Sequence, residues 1–106
     1  MKQKFVADNW NDDNGNPAGG FVKGVGLTID WQEGPLGRGL DRLEPNGAFV
    51  ETVIAAAKQR IEYYQDSKFN SRENAMAITK LDEALLWLNK RTTDREEREV
   101  EGTHAV

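Results

Sequence analysis

The 106-residue chain is long enough for one domain and too short for two. Charged residues make up 30% and hydrophobic residues 38%, which is typical of a folded domain with a well-solvated surface. The chain has no cysteine, which excludes disulfides and thiolate metal sites, and its net charge of −4 argues against broad binding to DNA or anionic membranes. The lack of cysteine also fits a reducing cytosol, where we expect the protein. No apolar run could cross a bilayer, and residues 1–10 lack the apolar segment of a signal peptide.

The first half of the chain carries the strand signals. Residues 4–10 can extend, and residues 11–20 predict a loop because they are rich in Asn, Asp, Gly and Pro. Apolar residues at alternate positions over residues 21–32 then predict a second strand, paired with the first in an antiparallel β-hairpin or small sheet. The glycines and proline of residues 33–47 predict an irregular arm before the next element.

The second half has helical periodicity. Asn46 is a candidate N-cap for a first helix that ends near Gln65, and Ser71 for a second that runs to Lys90 or beyond. The predicted stripe of the first helix comprises Val50, Val53, Ile54, Ala57, Ile61 and Tyr64. That of the second comprises Ile78, Leu81, Leu85 and Leu88. The short turn between them predicts an antiparallel helical hairpin.

The second helix has more apolar surface than one partner helix can cover. Residues 85–88 are consecutive large apolar residues, so their side chains extend around almost a full turn. One face can pack on the first helix, and Leu86 or Trp87 must then contact the N-terminal sheet or another subunit. We therefore predict a homo-oligomer.

The predicted fold is α+β in a single domain over residues 1–106. Its β-rich N-terminal arm covers residues 1–45, and residues 46–106 form the helical hairpin and a C-terminal tail.

The chain offers few groups for catalysis. Its one histidine, His104, lies close to the C-terminus, and neither a cysteine nucleophile nor a metal-ligand spacing is present. We predict that the protein is not an enzyme and needs no cofactor or metal.

A cationic pattern lies near the end of the second helix. Arg91, Arg95 and Arg98 are spaced i, i+4 and i+7, which aligns three guanidiniums on one face of a continuing helix. A guanidinium presents a planar fork of donors that matches a phosphate edge. Alternatively, these arginines pair with neighbouring acidic residues on a solvated face. The spacing alone leaves both alternatives open and slightly favours the second.

The turn between the helices brings an aromatic ring and an amide to one end of the hairpin. Tyr64 could stack on a purine and Asn74 could hydrogen-bond it, although both also suit ordinary structural roles at helix ends. Asn74 and Arg91 are more than about 20 Å apart along the helix at 1.5 Å per residue. One small ligand therefore cannot contact both sets in one chain, whereas an antiparallel neighbour could supply the arginines.

Four segments together resemble a known family. They are WQEGPLG (31–37), PNGAFVETVIAAAKQRIEYYQ (45–65), SRENAMAITKLDEALLWL (71–88) and RTTDREEREVEGTH (91–104). They resemble the phage anti-Thoeris and anti-CBASS signal sponges, immune-evasion proteins that share a helical hairpin domain. The N-terminal strand pair makes the chain more similar to the anti-Thoeris branch.

The resemblance implies a non-enzymatic hexamer in the cytoplasm of the infected bacterial host. Such proteins sequester cyclic nucleotide second messengers, which include glyco-cyclic ADP-ribose and cyclic di- and trinucleotides. The net charge of −4 predicts that neither polymeric nucleic acid nor a membrane is a partner. Carried over by position, the resemblance assigns the stacking aromatic to Tyr64, an adenine or ribose contact to Asn74, phosphate contacts to Arg91 and Arg95, and a further arginine to Arg38. It assigns Arg98, Thr103 and His104 to a second pocket.

Two alternatives compete with this function. One is a helical protein–protein inhibitor or adaptor that uses Leu86 and Trp87 to bind a host protein. The weaker one is a cyclic-nucleotide phosphodiesterase, which the lack of metal-ligand spacing disfavours.

Overall fold

A computed structural model describes residues 4–37 and 39–97, with the backbone alone for residues 95–97. Three strands precede two helices, which confirms the predicted α+β class. The elements are β1 (Val6–Asn11), β2 (Pro17–Gly24), β3 (Leu27–Asp30), a 3₁₀ turn (Gly39–Asp41), α1 (Val50–Gln65) and α2 (Arg72–Glu97). The chain divides into two compact units, the second of which begins at Val50. Neither described helix has the length and hydropathy that a membrane span requires.

The N-terminal sheet has three antiparallel strands in the order β1-β2-β3. The predicted single strand over residues 21–32 is wrong, because Gly24 pairs with Leu27 across a two-residue turn. Gly26 in this turn has φ +75°, in the left-handed region that other residues rarely adopt. Apolar residues occupy the odd-numbered positions from Phe21 to Trp31, apart from Lys23, so this pattern continues through the turn and makes the two strands look like one. Phe21 consequently lies on the opposite face from Leu27.

The loop between β1 and β2 is shorter than the predicted residues 11–20. The Asp12 carboxylate accepts hydrogen bonds from the backbone N–H groups of Asn14 (2.9 Å) and Asn16 (3.0 Å). This local bonding lets the chain reverse within a few residues. β2 therefore begins at Pro17.

Asn46 does not cap α1, which begins at Val50. Its side chain bonds elsewhere: the Glu33 N–H donates to Asn46 Oδ1 at 2.8 Å, and Asn46 Nδ2 donates to the Glu33 carbonyl at 3.3 Å. The backbone N–H of Asn46 donates to Gln32 Oε1 at 2.9 Å. Asn46 therefore joins the arm that precedes α1 to the segment that follows β3 by hydrogen bonds.

A parallel β-bridge between Trp31 and Ala48 lies next to these hydrogen bonds of Asn46. The Ala48 N–H donates to the Asp30 carbonyl at 2.8 Å. A Cβ at Gly47 would lie 2.5 Å from the Trp31 carbonyl oxygen, so no larger residue fits there without a backbone shift. The two loop segments that carry the family resemblance, 31–37 and 45–49, are thus bonded to each other.

The helical hairpin follows the prediction more closely. Ser71 caps α2, since its Oγ accepts a hydrogen bond from the Asn74 N–H at 3.0 Å. All four residues of the predicted α2 stripe are partly buried. In the predicted α1 stripe, Val53, Ile54 and Ile61 are partly buried, whereas Val50, Ala57 and Tyr64 are exposed. The ion pairs Lys58–Asp82 (2.7 Å) and Arg91–Glu51 (3.8 Å) join the two helices in antiparallel order.

The Lys58–Asp82 pair predicts a pH-dependent contribution to hairpin stability. The hydrogen bond to Asp82 raises the pKa of the Lys58 ammonium above its ordinary 10.5. A raised folded-state pKa means that the stabilisation is present below the unfolded pKa and is lost as pH rises through the folded value. We therefore expect Lys58→Met to lower the melting temperature, relative to wild type, more at pH 8 than at a pH above the raised pKa of Lys58.

The matched control for this measurement is Lys80→Met. Lys80 pairs with Glu83 within α2 at 3.9 Å, and both side chains are mostly exposed. Its removal should change the melting temperature little at either pH. Equal behaviour of Lys58→Met and Lys80→Met would contradict a role for Lys58 in joining the helices.

Candidate ligand site at the two ends of the hairpin

The turn between α1 and α2 is held by side-chain hydrogen bonds. Gln65 Nε2 donates to the Ser71 carbonyl at 3.0 Å, and the Ser71 N–H donates back to Gln65 Oε1 at 2.9 Å. Ser67 Oγ donates to the Tyr64 carbonyl at 2.6 Å and accepts from the Phe69 N–H at 3.1 Å. These bonds fix the backbone from which the neighbouring candidate site residues, Tyr64 and Asn74, project.

Two tyrosines and an arginine form a cluster at this turn, here called the turn-end cluster (Arg60, Tyr63 and Tyr64). The two ring centroids are 6.1 Å apart at an angle of 60°. The Arg60 guanidinium carbon lies 4.8 Å from the Tyr64 centroid and 5.1 Å from that of Tyr63. Arg60 Nε also donates to the Tyr64 hydroxyl at 3.1 Å. Tyr64 remains 40% exposed, so its ring has surface left for a ligand.

Asn74 lies in the first turn of α2 and is partly buried. Its Nδ2 donates to the Phe69 carbonyl at 3.2 Å, which fixes the orientation of the amide. No hydrogen bond from residues 4–37 or 39–94 reaches its Oδ1. An amide held in this way offers an oriented acceptor for an amino or hydroxyl group.

The predicted phosphate contacts lie at the other end of the hairpin. The Arg91 side chain is 60% exposed, and its one ion pair among the described residues is the 3.8 Å contact with Glu51. An ion pair this long and exposed contributes no more than about 1 kcal/mol to stability. The Arg91 guanidinium can therefore leave Glu51 to bind a ligand. Arg95 follows one turn later within α2. Asn74 and Arg91 are separated by about 25 Å at 1.5 Å per residue.

The structure thus brings together Tyr64 with its neighbours at one end and Arg91 with the start of α1 at the other. One chain does not bring the two sets together. The remaining predicted site residues, Arg38, Arg98, Thr103 and His104, lie outside the described residues, as does the Arg95 side chain. No group of His, Asp or Glu side chains suited to a metal ion occurs in the part of the chain that the structure describes.

Arg60 was missed by the sequence analysis. The signal was present, since Arg60 precedes Tyr63 by three residues and Tyr64 by four, the two spacings that bring side chains together on a helix. Interpreted with that rule, the sequence predicts a cation beside both rings.

The family model described as the Acb2/Tad1 hairpin domain matches residues 23–93. The chain belongs to this family. Thoeris anti-defense 1 of Bacillus phage SBSphiJ7 is 54% identical over 77 residues, which are 73% of this chain and 51% of that protein.

The region that matches the Acb2/Tad1 hairpin model contains most of the candidate site. The matched region includes Tyr64, Asn74 and Arg91 and ends before Arg95. It also includes the bonded loop segments that precede α1. The chain spans about half the length of the curated relative that it matches.

Proposed function

We propose that this protein binds cyclic nucleotide second messengers of bacterial defence systems and sequesters them without degrading them. In this role it would serve a phage in the cytoplasm of its host as an anti-Thoeris protein. The ligands are glyco-cyclic ADP-ribose and, in addition or instead, cyclic di- and trinucleotides. The name of the phage relative, Thoeris anti-defense 1, supports the biological role.

The observation that carries the proposal is that the turn-end cluster and Asn74 lie at the same end of the hairpin. Tyr64 offers a partly exposed ring that is already held by Arg60, and Asn74 offers an oriented amide. A purine needs a ring to stack on and a polar group that recognises its edge, and stacking on an aromatic contributes about 1–3 kcal/mol. The turn end of the hairpin offers both kinds of group.

The phosphates of the ligand would be bound by arginines of a second chain. Arg91 and Arg95 lie too far from Tyr64 along the hairpin to share one ligand with it. An antiparallel neighbour places its arginine end beside the turn end of the first chain, so each pocket is composite. Leu86 and Trp87 on α2, which are 70% and 65% exposed, provide apolar surface for such a contact. We propose that the assembly is a homohexamer.

A sponge must bind more tightly than the effector that it deprives of ligand. Nanomolar affinity corresponds to about 12 kcal/mol. Two charge-assisted contacts and one stack supply roughly 4–9 kcal/mol before ordering costs. Further groups must therefore contribute, and side chains that are held in place before binding reduce the ordering cost.

The rival function is a helical protein–protein inhibitor or adaptor. The exposure of Leu86 and Trp87 favours it, because exposed large apolar residues often mark a contact surface. It gives no role to the turn-end cluster and predicts no affinity for nucleotides.

One experiment tests the proposed function. The purified protein is incubated with a panel of cyclic nucleotides, freed of unbound ligand by gel filtration and denatured by heat. Mass spectrometry of the released material should recover an intact cyclic nucleotide at a fixed ratio to protein. Release of linear product would indicate hydrolysis, and release of nothing from the whole panel would contradict the proposal.

A further inference from the structure

Arg60 has an unusual set of contacts for a residue in the exposed part of a helix. Its guanidinium carbon lies within 5.1 Å of two ring centroids, and its Nε is bonded to the Tyr64 hydroxyl. No carboxylate of the described residues forms an ion pair with it. Its positive charge is therefore offset by aromatic rings and not by an acid.

Most of the donor capacity of this guanidinium is unused. An arginine has five N–H donors, of which the Nε–H is committed to Tyr64. The four donors on the two terminal nitrogens have no hydrogen-bond acceptor among the described residues. A planar pair of donors of this kind matches the edge of a phosphate.

Arg60 and Tyr64 also fix the orientation of each other's side chains. The Nε–hydroxyl bond and the cation–π contact both act on Tyr64, so the ring and the guanidinium hold one relative orientation. A cation over an aromatic face is held by a favourable contact, which strengthens when a ligand excludes water. A base that stacks on the ring thus has a phosphate-binding group next to it on the same helix.

We infer that Arg60 is a ligand-binding and positioning residue of the turn-end site: it orients the Tyr64 ring and binds a phosphate of the ligand through its terminal nitrogens. The inference rests on the proposed function and adds a cation that the same chain supplies. It provides one of the further groups that nanomolar binding requires. The alternative is that Arg60 only stabilises α1 through i, i+4 contacts.

The test compares Arg60→Gln with Lys68→Gln. Lys68 is a matched control, since its ammonium lies 5.4 Å from the Phe69 ring at the same turn and its removal changes net charge equally. The probes are glyco-cyclic ADP-ribose and a cyclic dinucleotide, with dissociation constants from calorimetry. Loss of the phosphate contact should weaken binding by Arg60→Gln about tenfold to a hundredfold. We expect Lys68→Gln to stay close to wild type.

A second variant separates positioning from phosphate binding. Tyr64→Phe keeps the ring but removes the hydroxyl that accepts the Arg60 Nε–H. If the hydrogen bond to the Tyr64 hydroxyl orients Arg60 for phosphate binding, Arg60→Gln will weaken binding less in the Tyr64→Phe background than in wild type. Circular dichroism and light scattering should show the same helix content and size for every variant.

The outcomes distinguish this inference from the proposed function. If the wild type binds and the Arg60→Gln and Lys68→Gln variants bind with equal affinity, the role of Arg60 is overturned. The proposed function is then unaffected. A loss of helix content in Arg60→Gln without a loss of affinity also overturns it, in favour of a structural role. Absence of binding by the wild type overturns both.

Discussion

Replacement of Trp87 by aspartate is expected to dissociate the assembly. Trp87 is 65% exposed in one chain and adjoins Leu86, which is 70% exposed, so the two form an uncovered apolar patch on α2. If a second chain covers this patch, an unpaired carboxylate there costs on the order of several kcal/mol. Light scattering at micromolar concentration should then give the mass of a single chain for Trp87→Asp.

Trp87→Phe is the matched control for this variant, because it keeps an aromatic side chain at the same position. It should retain the mass of the wild-type assembly. If Trp87→Asp keeps the wild-type mass and melting temperature, the assignment of Trp87 to a subunit contact is wrong. A monomeric wild type would contradict both the oligomer and the composite pocket.

The second large effect is expected from Arg91→Ala, which should weaken cyclic-nucleotide binding about tenfold to a hundredfold through loss of a charge-assisted phosphate contact. The fold should survive, because the Arg91–Glu51 pair is 3.8 Å long and exposed. Calorimetry measures the affinity, and circular dichroism checks the fold.

Lys90→Ala is the control for Arg91→Ala. Lys90 is the preceding residue, and its exposed side chain pairs with Asp94 at 3.0 Å on the same helix. Its removal changes the net charge equally but should leave affinity near that of wild type. If both variants bind like wild type, the arginine end of the hairpin takes no part in binding.

The helical half of the fold could be predicted because its signals are local. The apolar stripes follow the 3.6-residue period, and Ser71 caps α2 by a bond to a residue three positions away. The signal that was overlooked, Arg60 beside Tyr64, is equally local and arises from the i, i+4 spacing. These features need no knowledge of the rest of the chain.

The β-rich half could be predicted only in outline, because its details depend on distant partners. Asn46 has the chemistry of a helix cap, but its hydrogen bonds are to Glu33 and Gln32, 13 and 14 positions earlier in the chain. The turn at Gly26 is hidden because strand alternation continues on both sides of it. The proposed composite pocket cannot be predicted from residue spacing, since spacing within one chain does not specify which chain supplies Arg91.

Mixed subunits provide the most direct test of a pocket that two chains share. Tyr64→Ala and Arg91→Ala proteins are each expected to bind poorly, the former through loss of about 1–3 kcal/mol of stacking. When the two are unfolded together and co-refolded, some pockets should combine an intact Tyr64 from one subunit with an intact Arg91 from another. Calorimetry should therefore recover a tight-binding fraction that neither parent has, with subunit exchange verified by native mass spectrometry. Confirmed exchange without recovery would contradict a binding site composed of opposite ends of neighbouring hairpins.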